Sequence, residues 1–201
     1  TAGGLIRIVT LAPEWDEAPA FIRHCAERGI LASIGHTAAD SARIREAVRA
    51  GARMSTHLGN GAHPVLPRHP NYIWDQLAAD ELYAAMIADG FHLPAPVLKV
   101  FCRVKAGKAV LVSDAVSLAG MPPGKYKAHI GGDVVLTEEG KLHLAETPEL
   151  LAGSAKLLLH DAEHLARLGI ASLAEAWRMA SLLPASLLML PAAAGLSAGA
   201  P

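Results

Sequence analysis

The chain has 201 residues, enough for one domain with a substantial core but short of the roughly 250 typical of a complete eight-stranded α/β barrel. Its 18 Lys and Arg against 19 Asp and Glu leave a formal charge of -1, which gives no electrostatic case for binding nucleic acid or an anionic membrane surface. Although 52% of the residues are hydrophobic, alanine supplies much of that fraction, and no window reaches the ~18 unbroken apolar residues of a membrane span.

In chain order, Leu5 to Leu11 reads as a strand, followed by a helix from about Trp15 to Arg28. That helix carries Phe21, Ile22 and Cys25 on one face, and Gly29 is its stop. A strand over Leu31–Gly35 delivers His36, and Asp40 or Thr37 caps the next helix, which runs to Ala50 and ends at Gly51. Arg53–Thr56 delivers His57 and opens a loop, 59–71, dense in Gly, Pro and His, as suits a binding loop on a rigid scaffold. A short helix near Tyr72–Asp80 precedes the strand Ala84–Ala88, which leads to Asp89 and His92. The helix Ala95–Lys105 then returns the chain to the apolar, β-branched run Lys108–Ser113, which climbs to Asp114. The order βαβαβαβαβ predicts a parallel sheet with right-handed crossovers. Residues 1–124 thus form a barrel portion with its functional groups at the strand tips.

After Asp114 the pattern changes. Gly124–Ile130, Asp133–Leu136 and Lys141–Leu144 alternate as short strands, with Glu138-Glu139-Gly140 as a hairpin turn, so 125–144 is a small β element. Residues 145–190 read as barrel-packing helices, one over Leu150–Leu168 and one over Leu173–Ser181 stopped by Pro184. The Ala/Gly-rich stretch 191–201 reads as a mobile tail. Cys25 and Cys102 have no CxxC partner, read as buried thiols and suit a reducing compartment. Trp15, Trp74 and Trp177 read as core or interface aromatics. The chain starts at Thr1 without a signal-peptide pattern and ends in Gly195-Leu196-Ser197-Ala198-Gly199-Ala200-Pro201, with no capping helix, which reads as part of a longer polypeptide.

Four strands ending in His or Asp describe an active site spread over one face of the scaffold. Neutral imidazoles at adjacent strand tips can share one borderline metal ion, and His36 and His57 lie one βαβ step apart. Asp114 could be a metal ligand, a general base or a helix cap; beside a cation it would stay ionised and could take a proton from water. His92 could donate to a substrate oxygen or serve as a third ligand, with Asp89 orienting its loop through Asx-type bonds. Asn60 and Gly61 bring an amide and backbone N–H groups to the mouth of the site, and Arg68 can hold a phosphate or carboxylate bidentately. His63 and His69 fit no defined ligand set.

With these residues assembled, the chain resembles the N-acetylglucosamine-6-phosphate deacetylases of the amidohydrolase superfamily. The resemblance is carried by Thr10-Leu11-Ala12-Pro13-Glu14, Gly35-His36-Thr37, Thr56-His57-Leu58-Gly59-Asn60, Ala88-Asp89-Gly90-Phe91-His92, Ser113-Asp114-Ala115 and Leu151-Ala152-Gly153-Ser154, in the family's order up to about Ser197. It implies an α/β fold, roughly the second half of a metal-dependent (β/α)8 barrel with a small appended β element, in a protein that is usually a cytoplasmic homodimer. It also implies that His36 and His57 bind a divalent metal, most simply zinc, and that Asp114 is the catalytic acid/base. His92 would contact the sugar. Asn60, Gly61 and Arg68 would hold the phosphate, with Arg68 reaching into the neighbouring subunit. The implied reaction removes the acetyl group from N-acetylglucosamine-6-phosphate or a related N-acyl amino sugar. Two features depart from the family. Its third protein ligand, a glutamate in a Glu-Gly-Pro segment, belongs upstream of Thr1; Glu14 is not that residue. In addition, Gly59-Asn60-Gly61-Ala62-His63-Pro64 stands where Asn-Ala-Met is usual. These departures keep open an amidohydrolase of another substrate class (a different N-acyl sugar or a cyclic amide) and an incomplete, non-catalytic half-barrel.

Overall fold

A computed structural model describes residues 2–128 and 132–190. Five strands form one wholly parallel sheet: β1 (Ile8–Leu11), β2 (Leu31–Ile34), β3 (Met54–Ser55), β4 (Tyr83–Met86) and β5 (Ala109–Leu111). Their spatial order is their chain order, so every crossover steps the same way across the sheet. The intervening helices are α1 (Ala18–Glu27), α2 (Ser41–Ala50), α3 (Tyr72–Ala78) and α4 (Ala95–Val104).

Register divides the side chains between two faces. Ala32, Ile34, Ala84, Met86, Ala109 and Leu111 face the helices, where Ile22, Ile44, Leu98 and Phe101 complete two apolar clusters. On the opposite face Met54, Ala85 and Val110 pack with Leu183 and Leu187. Nearer β1 that same face turns polar: the Thr56 hydroxyl bonds those of Thr10 (3.1 Å) and Ser33 (2.6 Å). The sheet therefore has one dry face and one face lined partly by hydroxyls.

Sequence expectations and structure differ mainly at element ends. Leu5 and Ile6 lie outside β1 and are 85% and 47% exposed, because pairing with β2 begins only at the Leu31 amide, which donates to the Arg7 carbonyl. The helix expected from Trp15 starts at Ala18, with Pro19 in its first turn, and Trp15 and Trp74 are exposed rather than core. As read from the sequence, the Asp40 carboxylate caps α2 by accepting from the Arg43 amide, and Gly51 ends the helix in the left-handed region.

Beyond β5, β6 (Gly124–Ala128), β7 (Gly132–Leu136) and β8 (Leu142–Leu144) form an antiparallel sheet on Val134, Leu136 and Leu142, with Gly140 at positive φ in the turn. The expected end of β6 falls on 129–131, outside the described residues, as does the tail at 191–201. The helix expected from Leu150 is α5 (Leu158–Arg167) only. Residues 150–155 instead run beside 114–116 and β8, with Ala115 bridging Ser154 and His143 bridging Leu151. Gly153 explains the difference. Its φ of +93° is incompatible with a helix, and a Cβ there would meet Val116 Cγ1 at 2.5 Å. Helix α6 (Leu173–Ala180) begins with a Ser172–Glu175 capping box. Pro184 does not end the helical region as expected; it sits in the first turn of α7 (Leu182–Leu187), where no intrahelical donor is required. None of the described helices is long and apolar enough to cross a membrane.

Candidate active site

The loops after β2, β3, β4 and β5 all leave from the C-terminal edge of the parallel sheet, which brings His36, His57, His92 and Asp114 to one rim. Three of these four residues turn sharply as the strand ends. His36, His57 and Asp114 adopt φ values of 51°, 27° and 48°, a region that non-glycine residues rarely occupy.

The two imidazoles meet. Their Nε2 atoms lie 3.0 Å apart with the rings nearly perpendicular. Two nitrogens bound tetrahedrally to one zinc at ~2.0–2.1 Å would be separated by about 3.3 Å, so the pair has the spacing of two ligands on a shared ion. His57 is buried, and its Nδ1 has no hydrogen-bond partner. A direct hydrogen bond between the rings satisfies the Nε2 atoms but leaves that nitrogen orphaned in either tautomer. Among the described residues no third His, Cys, Asp or Glu joins the two.

Neighbouring residues hold the pair in place. Thr37 donates to Glu14 Oε1 (2.9 Å), which also accepts from the Ala38 amide (2.5 Å) and so ties down the loop behind His36. Gly61, at φ +62°, lies so close that a Cβ would sit 2.8 Å from His36 Nδ1. A small cavity of about 20 Å³ opens here, lined by His36, Thr37, Thr56, Asn60, Gly61 and Tyr72. The Asn60 backbone N–H is not free for a ligand as expected, because it donates to the His57 carbonyl at 2.9 Å. Its side-chain Nδ2 is instead buried without a partner. Arg68 is exposed on its loop and forms no hydrogen bond or ion pair with a described residue.

Asp114 is exposed on the same rim, and its backbone carbonyl accepts from the Ser154 amide at 3.4 Å. Its carboxylate makes no hydrogen bond or ion pair with either histidine among the described residues. The histidines thus meet in space, whereas Asp114 shares only their edge of the sheet.

At the tip of β4, Asp89 orients its loop as its sequence context suggested. Oδ1 accepts from the Phe91 and His92 amides (2.9 and 3.0 Å), and Oδ2 accepts from His92 Nδ1 at 2.7 Å. Burial of the Asp89 carboxyl works to raise its pKa; the hydrogen bonds from the His92 ring and the two amides outweigh it and lower the value to about 2. With Nδ1–H committed to Asp89, the Nε2 atom of His92 is left for a ligand.

Behind this loop lies a group that the sequence reading missed. Asp161 on α5 is 0% exposed, and neither carboxylate oxygen has a hydrogen-bond partner. Burial first, and then the charge of Asp89, push its pKa up to about 7; the Ala88 backbone pulls the other way. The signal was available, since Leu158, Asp161, Ala162 and Leu165 occupy one helical stripe whose other members are apolar.

A parallel α/β sheet with polar groups gathered on the carboxyl edge of its strands is the arrangement of an α/β enzyme. No family model matches the chain. Among curated proteins it is 40% identical over 165 residues to the N-acetylglucosamine-6-phosphate deacetylase of Bacillus subtilis (strain 168), covering 82% of this chain and 41% of that one. It is 32% identical over 188 residues to the N-acetylgalactosamine-6-phosphate deacetylase of Escherichia coli O157:H7, covering 91% of this chain and 48% of that one. Among solved structures, the N-acetyl-D-glucosamine-6-phosphate deacetylase of Mycobacterium smegmatis superposes with a TM-score of 0.85 at 31% identity, over 98% of this chain and 52% of that one. A variant of that enzyme was solved in complex with N-acetyl-D-glucosamine-6-phosphate. The chain is a homologue of the N-acetylglucosamine-6-phosphate deacetylases and corresponds to part of them. It spans about half the length of the relatives it matches.

Proposed function

We propose that the protein to which this chain contributes removes the acetyl group from N-acetylglucosamine-6-phosphate or a closely related N-acetyl amino-sugar phosphate. The observation that carries this reading is the approach of His36 and His57 Nε2 to 3.0 Å at two motif positions of a chain homologous to such deacetylases. The order-preserving sheet is one arc of a (β/α)8 barrel, with its hydroxyl-lined face turned to the barrel interior.

In this reading His36 and His57 hold a divalent ion, zinc by the character of the nitrogen donors, which when bound would polarise the acetyl carbonyl and acidify the attacking water. Asp114 takes a proton from that water and returns it to the departing nitrogen as the C–N bond breaks, so the acid/base ends the cycle as it began. His92, held by Asp89, presents Nε2 to a sugar oxygen. Asn60, Gly61 and Arg68 bind the phosphate, Arg68 from the neighbouring subunit of a cytoplasmic homodimer. The unpaired buried Nδ2 of Asn60 supports its share of that role, because an anionic acceptor would satisfy it. The free thiols of Cys25 and Cys102, the latter pushed up to about 11 by burial, suit a reducing compartment.

The relatives include enzymes named for both the gluco and the galacto substrate, which differ at one hydroxyl stereocentre. The galacto epimer is therefore the second reading. The test is an acetate-release assay on the polypeptide that contains this chain, against both hexosamine phosphates and unphosphorylated N-acetylglucosamine, with metal content measured alongside. The proposal expects release from a phosphorylated sugar and loss of metal in His57→Ala. Full metal retention in that variant, or no release from any of the three, would overturn it.

A further inference from the structure

The face of α5 that covers the β4 loop carries a cluster for which the proposed chemistry has no use. His164 packs on Gly90, where a Cβ would lie 3.3 Å from its ring, and His160 stacks beside His164 with ring centroids 6.2 Å apart. Asp161 lies between them in sequence, wholly buried and within electrostatic reach of Asp89.

Two buried carboxyls within electrostatic range of each other oppose one another's ionisation, and burial adds to that cost. Their surroundings decide which one keeps its proton. Asp89 receives three N–H donors, an arrangement suited to an anion, and it pairs with His92. Asp161 has no hydrogen-bond partner, and the nearby Ala88 backbone group favours its anion less than burial and Asp89 oppose it. No neighbouring cation compensates it. On its own helix the facing groups are His160 and His164, both lowered chiefly by burial: Lys156, just before the helix, and Arg167 act on His160 against Glu163, while Arg167 acts on His164 against Asp89. From the β4 loop the facing groups are Asp89 and its partner His92, and from α6 the packing is through apolar Ala176 and Met179.

We propose that Asp161 is a positioning residue, a neutral carboxylic acid whose retained proton keeps Asp89 the sole negative charge behind His92 and so holds the 89–92 loop in place. When Asp161 loses that proton, a second buried negative charge faces Asp89 from the helix packed on its loop, and the loop that carries His92 gives. This makes the loop a pH-sensitive element whose switch lies outside the reacting groups. The inference rests on the proposed function only in taking His92 as a substrate contact.

The test reads the proton where it resides. In protein labelled with 13C at aspartate carboxyls, one carboxyl carbon should titrate about three pH units above the ordinary aspartate range, and that resonance should vanish in Asp161→Asn. In the unsubstituted protein the Phe91 and His92 backbone amides should shift with the same midpoint. Asp161→Ala provides a second variant for the assignment if the amide does not fold. The proposal is overturned if every aspartate carboxyl titrates in the ordinary acidic range, if the high-titrating resonance survives both substitutions, or if the two amides fail to follow it. None of these readouts requires turnover, so this inference can fail while the deacetylase reading stands, and the reverse.

Discussion

Replacing Asp161 by Asn removes an ionisable proton while conserving shape, and linkage fixes how stability must respond. In the unfolded chain the carboxyl titrates at its ordinary value of 3.8, whereas in the fold it is raised to about 7. Between these values the folded state holds a proton that the unfolded state has released, so stability falls as pH rises, by about 1.4 kcal/mol per pH unit for this one group. Below about pH 4 both states are protonated and there is no penalty; above about pH 7 the penalty is complete and constant. The separation of the two pKa values corresponds to about 4 kcal/mol across the window. Asn is neutral throughout, and its unpaired polar group resembles that of the protonated acid. The two proteins should therefore unfold at similar urea concentrations near pH 4 and diverge steadily toward pH 8, where the variant is the more stable. With an m-value of ~2–3 kcal/mol/M, the divergence amounts to roughly 1.5–2 M in urea midpoint. Urea titrations followed by far-UV circular dichroism at five pH values would measure it. Parallel curves for the two proteins, or a variant that loses stability at high pH, would refute the assignment of a raised pKa to this carboxyl.

Asp89 makes the opposite prediction. Its carboxyl is lowered to about 2 in the fold, so it contributes about 2 kcal/mol that is present above pH 4 and lost as pH falls through 2; Asp89→Asn should flatten the acid limb of the stability profile over that range. Gly61→Ala places a Cβ 2.8 Å from His36 Nδ1 in a left-handed backbone, so it should cost ~1–2 kcal/mol, lower Tm by several degrees and weaken metal uptake measured by equilibrium dialysis. An unaltered Tm and metal affinity would show that the loop relaxes freely. Asp114→Asn should leave metal content intact while cutting kcat by ~10²–10⁴, measured as acetate release, and unchanged turnover would remove Asp114 from the reaction.

Strands β2, β4 and β5 were legible because each is a short apolar run, buried on both faces and ending at Gly or a polar tip; β1, exposed along one side, and β3, only Met54-Ser55, were legible from their place in the alternation of strands and helices. Their ends were less legible. Leu5 and Ile6 have the composition of a strand but no partner backbone to pair with. Leu150–Leu157 has the composition of a helix, but the positive φ of Gly153 and its contact with Val116 hold it against the segment that follows Asp114. Sequence periodicity does not register a long-range contact of this kind. The histidine pair was legible for a topological reason: consecutive strand tips in an ordered parallel sheet must be neighbours. Asp161 was overlooked because attention to strand tips leaves the helices unread, although a carboxylate on an apolar helical stripe is a visible anomaly.

The backbone at the rim adds an argument independent of any motif. His36, His57 and Asp114 lie in a region of φ that costs a non-glycine residue of order 1–2 kcal/mol, and glycine there would relieve the strain. Glycine is abundant in this chain, and the turns at Gly29, Gly51 and Gly140 use it in the left-handed region. At the three tips the strained conformation is instead kept with an imidazole or a carboxyl, on three different strands of one sheet. Met189 shares this region of φ away from the rim, so the conformation alone marks no site; what distinguishes the rim is that its three cases all carry a group able to bind or transfer a proton. The bend after β2 and the bend after β3 put His36 and His57 3.0 Å apart. Strain at all three positions together with convergence at two of them favours Asp114 as the third member of the site, even though its carboxylate contacts neither histidine.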